Sequence, residues 1–462
     1  MKRLLSFLLL LAPVFVNAQQ PWLKSSPSDY MWMNVGNAGF SGGTAVYTSI
    51  KFSPDSQAYV AYADWGYGKN VSVMKYNGTD WVNVGYAGFY LMGADWISLA
   101  FSPVDGQPYV AFSDQMNYTK KASVMKFDGT NWIYVGTPSF SGSVAEYLSL
   151  AFSPSEEPYV AFCDYQVIKV SVMKFDGTNW VYVGNEGISE GMVDQYSSLA
   201  FSPSGIPYVA FTEYLNNWKA TVMKFNGANW ENVGNAGFSA GSADYSNLAF
   251  SPSGQPYIAY SDGGNSDKAT VMKFDGTNWV NVGNAGFSIG GAFSTSLAFN
   301  PSDGQPYVAF GDAGNSAKAS LMKFDGTDWV YIGSTGFSAG MTTGTNLAFS
   351  PSGVPYVVYS DNENSLKATV MKYDDTGVGI NELQASGLLL YPNPASDNIT
   401  IETFSTPVKS QLSVLDVEGR QIITCQFTEP KMKIDISSLP SGIYFVRLTD
   451  DRSVAVGKIV KQ

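Results

Sequence analysis

The chain has no histidine. That removes histidine-based triads, histidine general bases and histidine metal ligands together. Acids and aromatic rings are left to do chemistry. Asp95, Glu146, Asp194 and Asp244 stand beside Trp96, Tyr147, Tyr196 and Tyr245, and Tyr47 holds the same place one unit earlier. Two carboxylates flanking a glycosidic bond can hydrolyse it without histidine, but no motif pairs these acids. Glu156 and Glu157 sit in a turn expected on the opposite face. Rings flanked by polar groups suit sugar stacking or peptide capture, because they offer large contact area at small entropic cost.

A second set of rings lies in nearby loops: Trp65 and Tyr67, Tyr118, Tyr165, Tyr214 and Trp218. The corresponding later loops are small and polar: Gly263-Gly-Asn-Ser, Ala313-Gly-Asn-Ser and Asn362-Glu-Asn-Ser. The first ring series also stops, at Ser294 and Gly344. The candidate ligand-binding set is therefore Trp65, Tyr67, Trp96, Tyr118, Tyr147, Tyr165, Tyr196, Tyr214 and Trp218, with Asp95 and Glu146. It forms a mildly acidic aromatic patch on one face. The competing reading is that the rings pack on neighbouring loops, or that the last units are recent duplicates.

The elements that position these residues come from a repeat. Trp32, Trp81, Trp132, Trp180, Trp230, Trp279 and Trp329 recur every 48 to 51 residues, each heading a string such as Trp279-Val-Asn-Val-Gly. Residues 248–283 show the unit. Leu248-Ala-Phe-Ser-Pro, Tyr257-Ile-Ala-Tyr-Ser-Asp, Lys268-Ala-Thr-Val-Met-Lys-Phe and the Trp279 string read as four strands. Asp275-Gly-Thr-Asn supplies a hairpin turn. Four short antiparallel strands repeated seven times predict an all-β, seven-bladed β-propeller. An open solenoid would need caps at both ends, and none is evident. The eighth tryptophan string is missing near Val378, so the Trp32 strand is expected to complete the last blade. This offset resembles the closure of WD-repeat and kelch propellers, without their signature dipeptides. The Asp-Gly-x-x-Trp hairpin resembles the Asp-box turn of sialidase-like propellers in turn physics only, since the Asp–Gly spacing differs.

The seven Trp are expected in the core or between blades. Acids end each second strand (Asp64, Asp114, Asp164, Glu213, Asp262, Asp312, Asp361) and lysines begin six of the third strands (Lys121, Lys169, Lys219, Lys268, Lys318, Lys367). Cross-strand pairing or loop capping is expected there, rather than a cation-binding ring, because the dense acid clusters of a calcium loop are missing. No transition-metal, nucleotide or flavin motif occurs, so no cofactor is expected. The net charge of −12 disfavours nucleic acid and anionic membranes. Cys163 and Cys425 fall in different regions, and Cys163 reads as a thiol outside any disulfide.

Residues 1–18 read as a signal peptide: Lys2 and Arg3, an apolar run Leu4–Val16, then Val16-Asn-Ala18. The run is too short to span a membrane, and no transmembrane segment is expected. Cleavage before Gln19 takes the charge to −14. Residues 30–375 are assigned to the propeller, 376–387 to a linker, and 388–462 to a small β-sandwich of about seven strands. That last region carries Tyr391-Pro-Asn-Pro-Ala, Val414-Leu-Asp-Val-Glu-Gly-Arg420, Ile436-Ser-Ser-Leu-Pro-Ser-Gly-Ile-Tyr-Phe-Val-Arg447 and Gly457-Lys-Ile-Val-Lys461. These blocks, in this order, resemble the type A C-terminal sorting domain of the Bacteroidota type IX secretion system. The resemblance implies export through the periplasm to the cell surface or medium, with the type IX machinery as partner. It gives address, not activity. On activity three readings stay open: a surface module binding glycan or protein, a carboxylate-based carbohydrate-active enzyme, and a structural or adhesion protein with no small ligand. Near-interchangeable blades favour the non-enzymatic readings.

Overall fold

The computed structural model describes residues 31–90, 92–115, 119–193, 195–374, 388–403, 410–417, 419–449 and 454–462. The expected signal peptide and linker, and Tyr118 and Asp194, lie outside them. The chain divides into two compact units, one of residues 31–375 and one containing residues 376–462.

The larger unit holds, among the described residues, seven four-stranded antiparallel sheets. In six of them the strands follow sequence order, as in Ala243–Phe250, Pro256–Asp262, Lys268–Phe274 and Trp279–Asn281. The hairpin to each fourth strand is set locally. Asp275 Oδ1 accepts from the Thr277 and Asn278 amides, both at 2.8 Å, while Gly276 takes a left-handed φ of 105°. Every second strand is almost wholly buried, which explains its continuous apolar run. The seventh sheet differs in origin. Its outer strand is Met31–Asn34, paired with Lys367–Asp374, as the missing last tryptophan string requires.

Two kinds of contact join successive sheets. Each tryptophan donates its indole N–H to a backbone carbonyl of the preceding sheet's tryptophan string. Trp132 bonds Val84 O at 2.8 Å, and Trp81, Trp180, Trp230, Trp279 and Trp329 repeat this on Val35, Val135, Val183, Val233 and Val282. Trp32 bonds Ile332 O of the sixth sheet at 3.0 Å, 300 residues away. Six of the indoles stack on a phenylalanine, as Trp132 does on Phe89 with ring centres 4.3 Å apart. Trp230 is the exception. Ile188 stands where its phenylalanine would be, and Trp230 is more exposed than the other six.

The second contact links the first strands of the sheets. Leu99, Leu150, Leu199, Leu248, Leu297, Leu347 and Ile50 each donate the backbone N–H to a short polar side chain of the adjacent first strand. The acceptors are Ser49, Ser98, Ser149, Ser198, Asn247, Ser296 and Asn346, at 2.7–3.2 Å. The first strands of all seven sheets line one cavity of about 580 Å³.

The smaller unit has, among the described residues, seven strands in two sheets, three-stranded (Leu388–Tyr391, Asn398–Thr403, Lys431–Asp435) and four-stranded (Gln421–Phe427, Ser410–Leu415, Gly442–Thr449, Val454–Lys461). One core joins them, built on Ile399, Ile401, Leu412, Val414, Phe427 and Val446. Cys163 and Cys425 are not joined in a disulfide. No helix among the described residues is long and apolar enough to cross a membrane.

Replacing Ile188 with Phe should supply the stacking partner that Trp230 lacks. We expect a gain of about 1 kcal/mol, within the range of an aromatic pair, measured as a higher urea midpoint. A lower midpoint would mean that the site cannot accept the ring.

Candidate functional site

The acids that end the second strands are loop caps. Asp64 accepts from the Gly43 and Gly66 amides at 2.9 and 2.8 Å, and Asp262 accepts from Gly264 N, Asn265 Nδ2 and Thr270 Oγ1 at 2.8–3.0 Å. Of the two expected roles, capping is the one observed. It ties the second-to-third loop to the loop entering the first strand, and so holds one rim of the unit in place. Burial raises the Asp64 carboxyl above its ordinary range, against the lowering effect of the amides.

On that rim, Tyr47, Trp96, Tyr147 and Tyr245 sit inside the first strands, while Tyr196 lies just before Ser198–Phe201. Each of six first strands carries a β-bulge, for example between Asp95 and Ser98. A bulge breaks the alternation that marks a strand, so the pattern begins too late. The residue at this position takes a left-handed φ in all seven sheets: Tyr47, Trp96, Tyr147, Tyr196, Tyr245, Ser294 and Gly344, at 43–64°. A residue with a Cβ is disfavoured there by about 1–2 kcal/mol. Five of the seven are nonetheless aromatic. They form an arc with successive ring centres 4.7, 3.8, 5.2 and 4.8 Å apart from Tyr47 to Tyr245. The arc lines a cavity of about 220 Å³, closed on its other side by Ser294, Thr295 and Thr345. The Thr345 hydroxyl is buried and has no hydrogen-bond partner among the described residues.

Charge beside the arc is uneven. Lys69 pairs with Asp95 and lies 5.8 Å from the ring centres of both Tyr47 and Trp65. Lys120 reaches Asp95 at 4.0 Å and Glu146 at 3.6 Å. Gln115 donates to Asp95 at 2.7 Å, and the Tyr165 hydroxyl donates to Glu146 at 3.1 Å. Asp95 is 4% exposed. The acids on this side are thus balanced by lysines that the sequence reading did not weigh, because each lysine belongs to the preceding sheet. Asp244, at the other end, has no such cation among the described residues, and burial with Asp267 nearby raises its carboxyl. Burial, then Asp95 and Glu146, push the Tyr47 phenol well above its ordinary value.

The structure therefore divides the candidate residues. Trp96, Tyr147 and Tyr196 belong to the arc, which Tyr47 and Tyr245 complete. Trp65 and Tyr165 connect to it through Lys69 and Glu146. Tyr67 packs on Gly42 and Gly88. Tyr214 and Trp218 form a separate edge-to-face pair with centres 5.7 Å apart. Among the described residues no cluster of His, Cys, Asp or Glu could hold a metal ion. Replacing Lys69 with Met leaves Asp95 buried beside one distant cation. We expect a loss of about 3 kcal/mol, in the range for breaking a buried pair, read by denaturant unfolding. A loss below 0.5 kcal/mol, the scale of a surface pair, would show that Lys69 does not hold Asp95.

Residues 389–462 match the secretion system C-terminal sorting domain family. Karilysin of Tannerella forsythia is 30% identical over 88 residues, covering 17% of this chain and 19% of karilysin, so the likeness spans about a fifth of that protein. Among solved structures, the extracellular domain of the two-component system BT4673 of B. thetaiotaomicron aligns at 11% identity with a TM-score of 0.52. The alignment covers 94% of this chain and 60% of that one. PorZ, a surface component of the type IX secretion system of Porphyromonas gingivalis, aligns at 12% identity over 90% of this chain and 70% of its own, with a TM-score of 0.40. A variant lacking residues 389–462 should accumulate in the periplasm, as read by cell fractionation; wild-type levels outside the cell would contradict this. The chain carries a type IX sorting domain behind propeller-like repeats, and is a cargo of that system, exported to the cell surface or secreted.

Proposed function

We propose that the protein is an exported glycan-binding module on a closed seven-bladed β-propeller, and that its site is the aromatic arc with the polar gap opposite. Closure is supported by the two bonds that join the last sheet to its neighbours, Ile50 N to Asn346 Oδ1 and Trp32 Nε1 to Ile332 O. The observation that carries the binding reading is the five rings at left-handed positions. Ser294 and Gly344 show that the bulge forms without a ring, so the backbone does not require aromatics there. Stacking of about 0.5–1.5 kcal/mol per pair offsets part of the strain. What it leaves is an apolar wall facing Ser294, Thr295 and the unpartnered Thr345 hydroxyl, a pairing that matches the apolar face and polar edge of a sugar ring.

The cavity of about 220 Å³ is below the size of drug-binding pockets. It suits one terminal sugar, not an internal stretch of polymer. Trp65, Tyr67, Tyr165, Tyr214 and Trp218 would meet the rest of the ligand on the outer loops, and Asp95 and Glu146 act through the lysines they hold.

The test is a glycan array with the full-length secreted protein, followed by calorimetry on any ligand found. Trp96→Ser should weaken binding about 10- to 100-fold, the scale of one lost ring contact of 1–3 kcal/mol, and is compatible with the scaffold because Ser294 holds the same position. Thr345→Val should weaken it about tenfold. Unchanged affinity in both variants would overturn the arc as the site. Glycan turnover abolished by Asp244→Asn would replace the binding reading with an enzymatic one.

A further inference from the structure

One column of the repeat has a single exception. Ala100, Ala151, Ala200, Ala249, Ala298 and Ala348 occupy equivalent places on six first strands, and the first sheet has Lys51 there. Lys51 and five of these alanines line the cavity of about 580 Å³. No carboxylate, tyrosine or second cation lines it. The Lys51 ammonium makes no ion pair or hydrogen bond among the described residues. Lys51 is solvent-exposed where its side chain meets the cavity, and the protein crowded around it lowers its pKa from the ordinary lysine value.

The polar lining can donate beside its one cation. Ser49, Ser98, Ser149, Ser198 and Ser296 accept backbone N–H groups from the adjacent strands, which leaves each hydroxyl proton to donate elsewhere. None of them donates its hydroxyl proton to a protein acceptor among the described residues. Asn247 likewise accepts from Leu297 through Oδ1 at 2.7 Å, leaving its NH₂ group to donate. The cavity offers hydroxyl and amide donors and one cation. Phe52, Phe101, Phe250 and Phe299 border it and exclude water from part of its wall.

We infer that this cavity binds a small carboxylate, held by the Lys51 ammonium and the serine hydroxyls of the adjacent strands. The site shares Asn247 with the lining of the arc's cavity, but its lysine and serines do not line that cavity, and it stands whether or not the arc binds sugar. A carboxylate fits better than a spherical halide because donors converge from several strands onto two acceptor oxygens.

The test uses the full-length protein with lysine selectively ¹³C-labelled, titrated with pH in sodium formate, sodium bromide or neither. The Lys51 signal is assigned by its loss in Lys51→Ala, a variant that restores the repeat residue. Formate should raise the Lys51 pKa by about one unit, as an adjacent opposite charge does, and bromide should do so less. Formate should also raise the melting temperature of the wild type but not of Lys51→Ala. Because the folded pKa lies below the unfolded one, the unfolded chain binds more protons between the two values, and wild-type stability rises with pH across that window. Without formate, Lys51→Ala should therefore be the more stable protein below the folded pKa, and its advantage should vanish above the ordinary lysine range. A Lys51 pKa indifferent to formate, or formate stabilisation that persists in Lys51→Ala, would overturn the site. An equal response to bromide would overturn carboxylate as its ligand.

Discussion

The backbone N–H on the free edge of each first strand has no strand to pair with. An unpaired edge is a liability, both as a buried donor and as a template for wrong pairing. Here a serine or asparagine of the adjacent first strand takes that proton, at every junction between sheets. Much else follows from this one bond. It fixes how far one first strand slides past the next, and thereby sets the bulge residues of neighbouring sheets within ring-stacking distance. It also leaves each serine hydroxyl proton to donate into the cavity. The tryptophans hold the outer part of the same junctions, with an indole proton on the neighbouring carbonyl instead of a backbone proton on a neighbouring hydroxyl.

Much of this was legible in the residues. The tryptophan period located the fourth strands, and the missing last string located the strand exchange between Met31–Asn34 and Lys367–Asp374. The C-terminal blocks identified the sorting domain. What escaped has a common cause, since it depends on contacts between sheets. Lys69 and Asp95 are far enough apart in the chain to look unrelated, yet they meet because one ends a loop and the other begins the next sheet. The inclusion of Tyr47, Trp96, Tyr147 and Tyr245 in the first strands is hidden in the sequence, because a bulge puts two residues opposite one. Lys51 was visible as an exception in a column of alanines. It acquires meaning only when that column is seen to face a cavity.

The two candidate sites differ in how they draw on the repeat. The arc arises from drift at a strained position, where five sheets keep a ring and two do not. The lysine site arises from one substitution against an otherwise uniform wall. In both, the scaffold supplies equivalent positions, and chemistry enters where equivalence fails. Asn247 lines both cavities, so the fifth sheet is the one at which they come closest in the lining.

The strand exchange in the seventh sheet has a consequence for folding order. Trp32 finds its carbonyl partner 300 residues along the chain, and the six other sheets can form from neighbouring segments. The slowest step is therefore expected to be the last one, because a contact between distant segments carries the largest chain-closure entropy. Synthesis runs from the strand that waits toward the strand that receives it. A chain cut short before Lys367 lacks both the receiving strand and the sorting domain that follows, so the fault that leaves the repeats incomplete also deprives the product of its address.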